Sequence, residues 1–313
     1  MARKPRIHYP GAFYHITLRG NARQDIFFDE KDRYRFYLLM QEGTERYGHR
    51  IHAFCLMTNH VHLLIQVAEV PLSRIMQNLS FRYTRWANWR QEKSGHLFQG
   101  RYKAVLVDAD EYLLELVRYI HLNPVRVAIT KDPMEYPWSS HRAYCGMEAL
   151  PWLCTDLTLS SFGRRMDTAR RKYREFVSEG AGEGHRPEFY GNSKVDSRIL
   201  GDDTFAEQVL HENEGAAAYR IGIGKVLSAV CSYYGVTEEE LRGGSHRSSR
   251  LRSMAAWVAL DTDGCTITEL AGITGRDLST LSSGVRKLRA RAEKDRRLWT
   301  ERAEIIKITR MQA

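Results

Sequence analysis

The chain has 313 residues, 43% hydrophobic and 27% charged, with 47 Lys and Arg against 38 Asp and Glu, a net charge of +9. That is long enough for two domains with their own cores, and no apolar run approaches the ~20 residues that a membrane span needs. The basic N-terminus, MARKPRIHYPGAFYH, lacks the apolar segment of a signal peptide, and the five scattered cysteines never take CxxC spacing. A cytoplasmic protein with neither a disulfide framework nor a cysteine zinc site is therefore expected. Charge is unevenly placed: residues 1–150 carry +6, residues 151–220 carry −2 and residues 221–313 carry +5. Two basic modules around an acidic middle suit a protein that touches a polyanion at two places.

In chain order, AFYHITLRG (12–20) alternates and reads as a strand, and residues 30–47 read as a helix. Residues 51–57 and 60–67 read as two strands joined at Thr58-Asn59. Residues 71–93 start on proline and keep Leu72, Ile75, Met76, Leu79, Tyr83 and Trp86 on one helical stripe. KAVLV (103–107) is a fourth strand, and residues 108–123 form a helix stopped by Pro124. The order β-α-β-β-α-β-α predicts a split βαβ, ferredoxin/RRM-like α+β fold, with an antiparallel sheet and helices on one face. Residues 149–220 read as a helical connector with a Gly-rich linker, GAGEGHRPEFYGNSK (180–194), and residues 221–313 as an all-α domain.

The chemistry starts at MTNHVHLLI, residues 57–65. On a strand, His60 and His62 point to the same face. Two neutral imidazoles there are either a bidentate platform for a divalent metal or a half-buried pair bonded to neighbours. RYIHLNP (118–124) offers a further ligand. Tyr119 and Asn123 are four residues apart, so one helical face carries both. An amide oxygen from Asn123 beside two imidazoles suits Mg²⁺ or Mn²⁺. A phenolate at Tyr119, attacking a phosphodiester, would leave a phosphotyrosine that stores the bond for rejoining. The plainer alternative makes Tyr119 a buried helix aromatic and Asn123 a helix-ending residue.

PGAFYHITLRGN, MTNHVHLLI, FQGRYKAVLVDADEYLLELVRYIHLNPVR and YPWSSHRAY together, over about residues 5–148, resemble the single-tyrosine HUH transposases of insertion sequences, and among them the REP-associated tyrosine transposases. The resemblance implies an HUH nuclease domain in residues 1–148. Its metal ligands would be His60, His62 and Asn123, and its nucleophile Tyr119, with Tyr112 the less favoured tyrosine. It also implies cutting and rejoining of single-stranded DNA, beside REP-like hairpins, through a 5′-phosphotyrosine.

Arg74, Asn78, Arg82 and Arg85 fall opposite the apolar stripe of 71–93. With Arg19, Arg23, Arg101 and Lys103 they form an expected basic track for phosphates, or else a solvated face. Trp86, Trp89 and Tyr102 are candidates for stacking on unpaired bases, although the place of Trp86 in the apolar stripe favours the core for it. Residues 225–290 resemble the C-terminal DNA-binding domain of the replication initiator DnaA, in YYGVTEEEL, the Arg250/Arg252 pair and GRDLSTL, although Leu278 stands where that family usually has His. The resemblance implies a helix-turn-helix that binds double-stranded DNA through Arg250, Arg252, Arg276, Asp277, Ser279, Thr280, Arg286 and Lys287. The expected protein is thus a transposase-like nuclease and strand transferase. A non-catalytic DNA-binding regulator that keeps the fold and a metal hydrolase using activated water are its rivals. No membrane partner is expected, and a homodimer is left open.

Overall fold

The computed structural model describes residues 7–191, 196–218, 221–260, 262 and 265–311. It divides into two compact units, Met1–Asn213 and Glu214–Ala313.

The first unit is built on five strands: β1 (Phe13–Arg19), β2 (Arg50–Leu56), β3 (His60–Gln66), β4 (Lys103–Val107) and β5 (Ile199–Leu200). Their order is β2-β3-β1-β4-β5, with β1 central. The pairs β1–β3, β1–β4 and β2–β3 are antiparallel, and β5 adds a short parallel edge to β4. The expected α+β class and split βαβ order are present. The parallel edge is an addition; two residues carry no alternation for sequence to show.

Register decides which side chains meet. Opposite residues share a face, so Thr17 with His62, Arg19 with His60 and Thr17 with Lys103 place these side chains on one side, together with His15. Tyr14, Ile16 and Leu18 point to the other. On that second side lie α1 (Glu30–Tyr47) and α2 (Leu72–Arg90), where Leu39, Met40, Ile75 and Leu79 surround Ile51 and Ile65. Helix α1 starts where the Asp29 carboxylate accepts from the Asp32 N–H and stops at Gly48 in the left-handed region, so each end satisfies backbone groups that a helix terminus leaves open. Helix α3 (Ala109–His121) lies on the histidine side, with the Tyr119 ring centroid 6.3 Å from that of His62. Helices therefore cover both faces, where sequence had gathered them on one. The stripe of α3 says that it buries a face but not which side of the sheet receives it.

Short helices α4 (Asn123–Arg126), α5 (His141–Tyr144) and α6 (Asp156–Ser160) follow, then α7 (Met166–Glu179) and α8 (Asp203–Ala218). Leu153, Leu159, Ala169, Tyr173, Val177, Phe189 and Val209, within the segment expected to be a connector, belong to the core of the first unit. Tyr173 and Phe189 are fully buried, and the Tyr173 hydroxyl bonds His121 on α3. Glycines gave the stretch 180–194 a linker's composition, yet Phe189 and Tyr190 within it pack inward; residues 192–194 lie outside the described residues.

The second unit holds α9 (Ile223–Tyr234), α10 (Glu238–Arg242), α11 (His246–Ala259), α12 (Ile267–Thr274), α13 (Leu278–Ala292) and α14 (Arg297–Met311). Helix α11 is buried from Leu251 to Ala259, with Trp257 fully enclosed. Helices α10 and α12 begin with capping boxes, Thr237 with Glu240 and Thr266 with Glu269, each satisfying two N–H groups left open at a helix start. Gly275, at φ 62°, turns the chain from α12 towards α13. No helix among the described residues is long and apolar enough to cross a membrane.

Candidate active site

The site is the histidine side of the sheet. His62 is fully buried and His60 half-buried, with ring centroids 5.0 Å apart. His60 Nδ1 is 2.7 Å from Asn59 Oδ1, and Asn59 Nδ2 donates to the Arg23 carbonyl at 3.2 Å. His62 Nδ1 is 3.0 Å from His15 Nε2, whose own Nδ1 lies 2.7 Å from the Phe189 carbonyl. His62 Nε2 is buried and has no hydrogen-bond partner. Burial pulls His60 down to about 4, helped by the charge of Arg19. It pulls His15 down to about 4 against the lift from the Phe189 carbonyl. His62 is held well below its ordinary value by burial and then by His15 and His60. All three are neutral at pH 7, the form that offers a lone pair.

Tyr119 is only 3% exposed. Its hydroxyl donates to the Tyr190 hydroxyl at 3.1 Å, and its ring packs edge-on against Phe189, with centroids 4.9 Å apart. Burial raises its pKa, donation to Tyr190 raises it further, and the Arg126 guanidinium, 4.1 Å above the ring, opposes both. The phenol is therefore protonated in this arrangement, with one cation placed to favour its ionised form.

Asn123 lies just beyond α3. Pro124 cannot donate to the Ile120 carbonyl one turn back, and Asn123 Nδ2 bonds that carbonyl (3.3 Å) and the Tyr119 carbonyl (2.9 Å). Two acceptors fix the NH₂ end, which leaves Oδ1 as the atom it can offer a ligand. Among the described residues no direct bond joins Asn123 to either histidine, and no group of three or more His, Cys, Asp or Glu side chains could hold a metal. Tyr112, seven residues before Tyr119, is half-buried, and burial raises its pKa.

The expected basic track separates into two parts. Arg19 and Lys103 are exposed on the histidine side, and Arg23 and Arg101 are exposed beside the turns that end β1 and precede β4. Arg74, Arg82 and Arg85, with Asn78, are on α2, behind the sheet, and Arg82 is paired with Glu42 at 2.5 Å. The α2 residues therefore do not line this site. Trp89 is 72% exposed on α2, whereas Trp86 packs against the core. Tyr102 also packs against it.

In the second unit, Asp277, Ser279 and Thr280 are exposed at the start of α13, and Arg286 and Lys287 are exposed along it. Arg252 corrects expectation. It is 6% exposed and its guanidinium donates to the Leu241 and Gly243 carbonyls, so it holds the α10–α11 loop and is not available to a phosphate. Arg276 bonds the Arg242 and Gly243 carbonyls, and Arg250 is paired with Glu301 at 3.3 Å.

Sequence reasoning missed four residues that the fold brings to the histidines and Tyr119: His15, Arg126, Phe189 and Tyr190. His15 had a signal, because it alternates in phase with Thr17 and Arg19. Arg126 lies seven residues beyond Tyr119, two helical turns on. Nothing local marks Phe189 or Tyr190.

Comparison with known proteins gives three findings. Residues 9–123 match the family model described as IS200-like transposase. A solved REP-associated tyrosine transposase bound to a REP hairpin is 18% identical, with a TM-score of 0.41, over 53% of this chain and 98% of that one. No curated protein matches. The match over 9–123 contains β1 to β4, both histidines, Tyr119 and Asn123, so the similarity to IS200-like transposases falls on the stretch that builds this site.

Proposed function

We propose that the first unit cuts and rejoins single-stranded DNA, with Tyr119 as nucleophile. The observation that carries this is one sheet face holding two neutral histidines, one with a buried and unpartnered Nε2, beneath a helix that brings a tyrosine against them. The donor set fits a hard or borderline divalent cation, Mg²⁺ or Mn²⁺: His60 and His62 through Nε2, with the Asn123 oxygen as the third ligand. Bound there, the cation would supply Lewis-acid polarisation of a phosphate.

The chain's own groups supply the remainder. Arg19, Arg23, Arg101 and Lys103 hold the backbone of the strand. The Tyr119 hydroxyl exchanges the Tyr190 oxygen for a phosphate and gives up its proton to water, and Arg126 stabilises the phenolate. The tyrosyl oxygen bonds phosphorus as the P–O3′ bond breaks. The 3′-oxygen leaves and takes up a proton, and the 5′-phosphate stays on Tyr119. Attack by a 3′-hydroxyl reverses the step and frees the tyrosine. In the second unit, α13 presents Ser279, Thr280, Arg286 and Lys287 to duplex DNA, in the manner of a recognition helix after the α12 turn.

The test uses labelled single-stranded oligonucleotides bearing imperfect hairpins from the flanks of its own gene, with Mn²⁺ or Mg²⁺. A slow-migrating, protease-sensitive adduct with the wild type and none with Tyr119→Phe is expected. Cleavage that Tyr119→Phe leaves unchanged would replace this reading with hydrolysis by activated water. The burial of Tyr119 under Phe189 and Tyr190 favours a second reading, a DNA-binding regulator that does not cut. Binding without an adduct or cleavage would select it.

A further inference from the structure

The two histidines of the proposed metal site are each held at Nδ1, and by groups that leave no choice of proton position. The Phe189 carbonyl can only accept, so His15 Nδ1 carries a proton and donates to it. A neutral His15 then has a bare Nε2, which can only accept. His62 Nδ1, 3.0 Å away, must be the donor. The remaining proton-free atom of His62 is Nε2, the buried atom without a partner.

His60 reaches the same state by another route. Asn59 Nδ2 faces the Arg23 carbonyl, so Asn59 Oδ1 is the atom turned towards His60 Nδ1. An amide oxygen can only accept, and His60 Nδ1 is therefore the donor.

From this geometry we propose that His15 and Asn59 are positioning residues that lock His62 and His60 in the Nδ1–H tautomer, so that both present Nε2 lone pairs on one face. This rests on the reading of His60 and His62 as metal ligands. It adds that the pair is prepared by the fold before any cation arrives. It also gives the segment around Phe189, which lies outside the family-matched residues, a part in the site. Neither residue touches the cation or the DNA in this scheme; each acts through the imidazole that it holds. Ligating histidines commonly have their second nitrogen fixed in this way, and loss of such a partner typically costs 10–100-fold in metal affinity.

Long-range ¹H–¹⁵N correlation on the full chain without metal reads the tautomers directly. Nδ1–H signatures for both His60 and His62 in the wild type are expected, and an Nε2–H form of His62 there would overturn the proposal with no variant needed. His15→Phe keeps a ring but offers no acceptor, so His62 should lose its single tautomer and Mn²⁺ affinity, read by electron paramagnetic resonance, should fall 10–100-fold. His15→Gln, whose amide oxygen can accept from Nδ1, should recover part of that loss. Asn59→Ala, on a partly exposed turn, should release His60 while His62 keeps its tautomer. The control is His62→Ala. If it binds Mn²⁺ as the wild type does, the metal site itself is misassigned. If it loses Mn²⁺ while His15→Phe and Asn59→Ala keep both affinity and tautomers, the ligands stand and the positioning roles fail.

Discussion

Acid should unfold the first unit and leave the second folded. Five buried histidines of the first unit drive this. Burial pulls His15, His49 and His141 down to about 4, and holds His62 and His121 well below their ordinary value. A histidine with a depressed folded pKa costs nothing above pH 6.5, where both states are neutral. Stability is lost as pH falls below that value, because the unfolded chain takes up protons that the folded chain refuses. At pH 5.5 an unfolded imidazole is about 90% protonated, which favours unfolding by about 1 kcal/mol for each histidine kept neutral. Together they amount to several kcal/mol, against a typical domain stability of about 5–15 kcal/mol. For a unit of this size that corresponds to a fall in melting temperature of roughly 10–20 °C. The second unit contains a single histidine, His246, and it is exposed. Scanning calorimetry of the full chain at pH 7.5 and 5.5 should show one transition falling steeply and the other nearly fixed. A first-unit transition that moves by less than about 5 °C, or two that move together, would refute the burial argument.

Two glycines of the second unit make a matched pair. A Cβ at Gly284 would lie 2.3 Å from Ser253 Oγ, where α13 crosses α11, so Gly284→Ala should destabilise by about 1–3 kcal/mol. A Cβ at Gly272, inside α12, meets nothing within 4 Å, and Gly272→Ala should stabilise by about 0.5–1 kcal/mol; urea midpoints measure both. Arg252→Met should lower the stability of the second unit, because two loop carbonyls lose their donor, and leave the salt dependence of duplex binding unchanged. Arg286→Ala should do the reverse, weakening duplex binding and reducing its salt slope by about 1 while the melting temperature holds. Thr237→Ala removes the capping box of α10 and should cost about 1 kcal/mol in the second unit alone, as chemical denaturation would show.

Local pattern was enough for the four long strands and for α1 to α3, because alternation and the helical stripe are written within each segment. Helix α1 spans Glu30–Tyr47 and β4 Lys103–Val107, the bounds that periodicity and end signals indicate. The same locality put His60 and His62 on one face, since two residues on a strand share a side whatever surrounds them. What sequence could not carry is any contact made across the fold. His15 meets His62 only because β1 and β3 pair in one register, which sets them diagonally on the same face. Phe189 and Tyr190 reach Tyr119 across 70 and 71 positions of chain, from a stretch whose glycines read as linker. Arg252, basic on a helix and beside Arg250, reads as a phosphate contact until the all-round burial of α11 turns it onto two loop carbonyls. Sequence by itself determined the four long strands, the first three helices, their order, and the shared face of His60 and His62. Tertiary structure alone decided which groups of the site are buried, what holds each one, and hence which atoms remain free to react, because burial and long-range hydrogen bonds exist only between segments that folding brings together.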